Sequence, residues 1–326
     1  MSTVKPQPRL QKEQIKPSPL FNRGRRRLRY MMKRWQLYVL LSPAVLYLLI
    51  FQYYPMYGAQ IAFKRYNTMV GIWKSEWIGF EHFIRFFNSY DFWMIMRNTI
   101  GLSIYELIVS FPLPIILALS LNYVRKHLFK KSVQMITYAP HFISVVVMVG
   151  MLVQFLDPRA GILNALLGLF GVEPINFMAQ AGMFKSIYVW STVWQSTGFA
   201  CIIYLAALAS VDPAQHEAAV VDGATKMQRI WHIDIPSILP IAIILLILNT
   251  GQMLNIGYEK VLLMQNPLNL RASEIIDTYV YKVGLTSQAP NFSYATAIGL
   301  FKSVVSLFLL LTVNKIAKKT GQSSLW

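Results

Sequence analysis

Six stretches of this chain are long and apolar enough to cross a lipid bilayer, which needs about 20 mostly apolar residues per helical crossing. They run approximately over Trp35–Tyr54, Asn98–Leu121, Val133–Leu156, Phe184–Leu208, Ile235–Ile256 and Ser293–Ala317. In hydrocarbon the backbone must satisfy itself, so each stretch reads as a helix. The expected fold class is therefore an all-α integral membrane protein with six spans. Only 14% of residues are charged, well below a soluble domain. The first stretch is too long for a cleaved leader, and 34 residues precede it. It reads as a retained anchor.

The +17 net charge is a topology signal. Residues 1–34 hold 11 basic residues and one acid. With that segment in the cytoplasm, the inner side gathers 20 basic residues and five acids, the outer side nine and eight. This matches the bias of cytoplasmic loops toward Lys and Arg. The cluster Arg25-Arg26-Arg27 then lies near anionic headgroups and gives no reason to invoke nucleic acid. Both termini are expected in the cytoplasm. The expected organisation is a basic tail over 1–34, a six-span domain over 35–317 and a short tail over 318–326. Outer loops 55–97, 157–183 and 257–292 are long, the first being rich in aromatics suited to an interfacial helix. One cysteine, Cys201, rules out an internal disulfide, and five scattered His show no metal-binding spacing.

The inner loop over 209–236 is polar and long enough to fold alone. Asp212 is placed to cap a helix whose first residue is Pro213, and Gly223 to end it in a left-handed turn. A second helical stretch follows, and Pro236 is expected to start the next span. Glu217 and Val221 share one helix face, as do Ala218 and Asp222. That small, polar face suits docking against another protein.

The segment Glu217-Ala218-Ala219, then Gly223, then Ile233-Asp234-Ile235-Pro236 resembles the EAA loop of ABC importer permeases. Asp222-Gly223-Ala224 and Pro240 fit the same pattern; Ile235 stands where the family usually has Leu. Further segments are similar to one branch of the MalF-like, type I carbohydrate-uptake permeases. They are Pro55-Met56-Tyr57-Gly58, Phe63-Lys64-Arg65-Tyr66-Asn67, Gly71-Ile72-Trp73, Tyr138-Ala139-Pro140-His141-Phe142-Ile143-Ser144, Tyr279-Val280-Tyr281 and Ser324-Leu325-Trp326. Its characterised members resemble importers of alginate or pectin fragments.

The resemblance implies a type I importer transmembrane domain in the bacterial cytoplasmic membrane. It implies a second permease subunit, two ATP-binding subunits carrying ATP and Mg, and an extracytoplasmic solute-binding protein that delivers an oligosaccharide. This chain has no phosphate-binding loop, so ATP hydrolysis is assigned to the partner ATPase and no cofactor to this chain. Glu217, Ala218, Ala219, Asp222 and Gly223 would form the ATPase-coupling surface. Glu217 would meet a basic group of the ATPase.

Polar groups within spans mark a cavity or a helix contact. In the fifth, Asn249, Gln252 and Asn255 fall on one arc of an ideal helix; in the fourth, Trp190 and Trp194 are one turn apart, as are Ser191 and Gln195. Aromatic faces and amides suit a sugar path, but packing between helices accounts for the same pattern. Glu106 and Lys302 lie at similar depth and are expected to pair; Lys302 facing a substrate carboxylate or a wet cavity are the alternatives. A stand-alone secondary transporter is the main competing function, and no repeated halves favour it. An intramembrane enzyme would need a nucleophile and base; Glu106 and His141 are too isolated for that.

Overall fold

The computed structural model describes residues 33–319. The basic tail with its Arg25–Arg27 cluster, all but its last two residues, and the terminal Ser324-Leu325-Trp326 lie outside the described residues. The chain forms two units, Met1–Gly58 and Ala59–Trp326. In the first, a helix over Trp35–Leu48 runs on through a π-helical turn to Met56. Every described residue of that unit up to Tyr57 is exposed. A helix that is apolar all round belongs in lipid or against another chain.

The sequence windows reappear with revised limits. Among the described residues, helices over Trp35–Phe63, Phe92–Asn122, Ala181–Ala209, Lys226–Gly251 and Phe292–Lys319 are each long and apolar enough to cross a bilayer. The third window is different. It was expected as one span over Val133–Leu156, but it is two helical pieces, His127–Phe142 and Val145–Phe155, bent by 103°. Pro140 removes a backbone donor, Ile143 and Ser144 become extended, and the Ser144 hydroxyl caps the second piece through the Val147 N–H. The carbonyl of Ile143, freed by the break, accepts a 2.8 Å hydrogen bond from Gln195 Nε2. His141 stacks on Phe199 at 3.9 Å beside it. The break is thus built into both helices.

Close approach fixes the fourth span against the first piece of the third. A Cβ at Gly198 would stand 2.0 Å from the Thr137 carbonyl oxygen, so only glycine fits. Lipid supplies no hydrophobic drive between helices, so such tight van der Waals contact is what holds them. On the inner half, Ala118, Leu121, Tyr204, Leu208 and Ile238 join the second, fourth and fifth spans in one buried cluster.

The outer connector 257–292 is not a surface loop. Its short helices Tyr258–Met264 and Ile276–Tyr281 bury Val261, Met264 and Ile276 almost completely. Asn98, in the second span, donates to the carbonyls of Arg271 and Glu274, while Thr99 accepts from the Ile276 N–H at 3.0 Å. The aromatic loop folds around Glu81–Phe87, with Phe86 buried among Phe92, Tyr294 and Phe301.

Candidate functional site

The inner loop forms the anticipated helix, turn and helix. Asp212 Oδ1 accepts from the Ala214 N–H at 2.9 Å and caps a helix over Pro213–Val221. Two bonds close its end, Ala224 N–H to Ala219 at 2.8 Å and Gly223 N–H to Val220 at 3.0 Å. The first requires a left-handed residue just before Ala224, and Gly223 has φ +78°. Thr225 and Gln228 then cap each other's backbone and start the next helix. That helix does not stop for Pro236. It runs on over Lys226–Gly251, and a π-helical turn at Ile230–Asp234 absorbs the missing proline donor. The fifth span thus begins in the loop itself, ten residues before the expected start.

Glu217, Ala218, Asp222 and Gly223 are exposed on this loop, and Ala219 is half-buried. The Glu217 carboxylate has no side-chain partner among the described residues. On the same loop Val221, Met227 and Trp231 are exposed at 87%, 61% and 61%. A groove of about 280 Å³, lined by Ala219, Asp222, Gly223, Gln228 and Arg229, separates the two helices. One turn from this exposed face lies a buried polar contact. Asp234, fully buried, accepts a 2.6 Å hydrogen bond from the Tyr123 hydroxyl and lies 3.3 Å from His216 Nε2. Burial of Tyr123, with the neighbouring carboxylate, pushes its pKa up to about 12.

A second candidate site is a polar cavity of about 320 Å³ between the second, fourth and fifth spans. It gathers Glu106, Ser110, Ser196, Asn249, Gln252 and Asn255. The three amides meet here, but not by the expected helical arc. The fifth helix ends at Gly251, and Gln252 and Asn255 sit in the turn that follows, linked by a 2.6 Å hydrogen bond. Trp190, Ser191 and Trp194 lie elsewhere, with Met148, Met151 and Phe155 in an apolar groove of about 310 Å³. Gln195 is committed to the break in the third span. The fourth span therefore offers the polar cavity Ser196 and Ala200 instead of its tryptophans.

The intramembrane charges do not pair as expected. Lys302 Nζ lies 2.5 Å from Asp277 Oδ1, a carboxylate of the outer connector, and makes its ion pair there and not with Glu106. Glu106 borders the polar cavity, and the cation acting on it is Lys260. Lys260 is itself 5% exposed and donates to Thr192 Oγ1 at 2.8 Å. Thr192 is 11 residues into its helix, about 16 Å along it. The connector therefore dips deep between the spans. Depth alone matched Glu106 to Lys302, because the folding back of 257–292 leaves no hydropathy signal.

Residues 110–322 match the family described as the binding-protein-dependent transport system inner membrane component. The chain belongs to that family. This permease is 46% identical to Protein LplB of Bacillus subtilis (strain 168), over 90% of this chain and 91% of the relative. It is 43% identical to the polygalacturonan/rhamnogalacturonan transport system permease protein YteP of the same organism, over 89% and 90%. Among solved structures it is similar to a bacterial ABC transporter involved in the import of the acidic polysaccharide alginate. The TM-score is 0.83 at 39% identity, covering 90% of this chain and 99% of that one. A second crystal structure, of a bacterial alginate ABC transporter in complex with alginate pentasaccharide-bound periplasmic protein, gives 0.84 at 38%, covering 91% and 99%.

Four residues of interest in the permease escaped sequence reasoning: Tyr123, His216, Asp234 and Lys260. Asp234 stood in the motif Ile-Asp-Ile-Pro and was the one readable hint, being an acid at the foot of an apolar helix. Its partners come from other elements and carry no local signal.

Proposed function

We propose that this permease forms half of the translocation path of an ATP-driven importer for oligosaccharides that contain acidic sugars. It would work with a second permease subunit, two ATPase subunits that hold ATP and Mg, and an extracytoplasmic solute-binding protein. It would sit in the bacterial cytoplasmic membrane with both termini inside. The observation that carries the reading is the Pro213–Val221 helix, which presents an exposed, uncompensated Glu217 on a loop that also exposes Val221, Met227 and Trp231. Such a surface suits a protein cleft with a basic group. Closure of the ATPase dimer would draw two such helices together and rock the attached spans, opening a cavity outward. Hydrolysis would return it inward. The hydroxyls and amides at Ser110, Ser196, Asn249, Gln252 and Asn255 suit the hydroxyl edge of a sugar. The acidic substrate class follows the names of the pectin and alginate relatives.

The test is uptake and ATP hydrolysis in vesicles holding all four kinds of subunit, with acidic and neutral oligosaccharides offered. Glu217→Ala is expected to abolish ligand-stimulated hydrolysis and uptake together. Uptake that persists without ATP, or is indifferent to Glu217, would overturn the reading and favour a secondary transporter.

A further inference from the structure

The helix that carries Glu217 is almost unsupported by packing. No residue of Pro213–Val221 is buried. Apolar contact therefore does little to fix its angle to the membrane helices. What reaches inward is His216, which precedes Glu217 and is turned about 100° from it around the helix. Its imidazole is 24% exposed, and Nε2 lies 3.3 Å from Asp234 Oδ1. That oxygen has no hydrogen-bond partner, so a protonated imidazole would hold it by charge. The other carboxylate oxygen takes the Tyr123 hydroxyl at 2.6 Å. Asp234 lies at the foot of the fifth span and Tyr123 at the inner end of the second. The Arg229 guanidinium sits 5.7 Å over the Tyr123 ring and is the remaining charged group at the site. A wholly buried carboxylate is costly unless opposite charge and donors surround it. Here those come from three separate stretches of chain.

We propose that His216, Asp234 and Tyr123 are positioning residues that clamp the Glu217 helix to the second and fifth spans, so that its displacement moves both spans together. The proposal rests on the coupling role given above to Glu217. Without the clamp the helix would swing on its two connections, and ATPase closure would be spent in the loop. Because the His216 contact works through charge, the clamp tightens when the imidazole is protonated. Tyr123, Arg229 and Asp234 are the titratable or charged groups at this contact.

The experiment uses the complete importer in vesicles, with oligogalacturonate as probe, and reads sugar molecules imported per ATP hydrolysed. Tyr123→Phe and Asp234→Asn are expected to lower that ratio about tenfold while hydrolysis continues, as fits loss of a charged hydrogen bond. His216→Ala should lower the ratio as well, whereas His216→Lys, which keeps a cation beside Asp234, should keep it high. If uptake and hydrolysis fall in parallel with the amount of assembled complex, the residues are merely structural and the proposal fails. If Asp234→Asn does not assemble, Tyr123→Phe, which removes a single oxygen, decides the matter. Glu217→Ala run alongside separates the two claims: unchanged ligand-stimulated hydrolysis and uptake there sink the coupling role itself. Joint loss of hydrolysis and uptake there, with an intact ratio in Tyr123→Phe and Asp234→Asn, sinks only the clamp.

Discussion

Lys302 in the sixth span and Asp277 in the outer connector are 2.5 Å apart and mostly buried, at 14% and 19% exposure. The pair ties a connector to a membrane helix and consumes the one basic charge of that span's apolar stretch. Lys302→Met should destabilise the folded protein by about 3 kcal/mol, because it strands a buried carboxylate. Adding Asp277→Asn should recover much of that loss. Thermal unfolding in detergent checks both. The single variant should slow uptake of acidic and neutral sugars alike. A selective loss of acidic uptake would show that Lys302 serves the substrate instead.

Gly198 meets the Thr137 carbonyl too closely for any side chain. Gly198→Ala should lower stability by about 2 kcal/mol or more through overpacking. Gln195→Ala, which orphans the Ile143 carbonyl at the break, should cost about 1–2 kcal/mol. Midpoints of thermal unfolding measure both effects. A neutral Gly198→Ala would mean that the two helices can separate without penalty.

The polar cavity gives a substrate prediction. Asn249→Ala and Asn255→Ala should each raise the half-saturating sugar concentration about three- to tenfold, the scale of one lost hydrogen bond. Trp190→Ala and Trp194→Ala, in the separate apolar groove, should change it less than about twofold. Concentration series in vesicle uptake distinguish the two sets.

Two groups outside the spans set pH limits. Tyr123 has its pKa raised to about 12 by burial and by the Asp234 carboxylate. Its neutral hydroxyl is the form favoured by folding, so its contribution is complete below the ordinary tyrosine value of about 10 and is lost as pH climbs through 12. Asp157 is the opposite case. The backbone N–H groups of Ala160 and Arg159 hold its carboxyl below the usual range, so its contribution is complete above about pH 4 and lost only further down. Asp157→Ala should speed proteolysis in the outer loop 157–183 at neutral pH. Alkaline titration of wild type against Tyr123→Phe should place the added ionisation above pH 10.

What was legible in the sequence follows locality. Asp212, Pro213 and Gly223 announced a capped helix and its end, because each acts within a few residues of its own backbone. Hydropathy gave the spans for the same reason. The failures are contacts between distant segments. Nothing near Lys302 names Asp277, and nothing near Gln195 names the broken third span. The amides Asn249, Gln252 and Asn255 were grouped correctly for a mistaken reason, since the helix that would have aligned them ends at Gly251. Pro236 misled in the other direction: a π-helical turn let the helix pass through it.

Five of the thirteen residues around the polar cavity come from 252–257, past the end of the fifth helix. Much of the cavity wall and the long helix that leads down to the Glu217 loop are therefore different pieces of chain. Leu254 and Ile256 of that stretch are buried in the packing among the spans, so an exchange confined to its exposed amides Gln252 and Asn255 is the one that could change the cavity wall and spare the helices. If the proposed function holds, diversification of substrate and preservation of the linkage to the ATPase would fall to separate positions, a division of labour that a cavity made from helix faces alone would forbid.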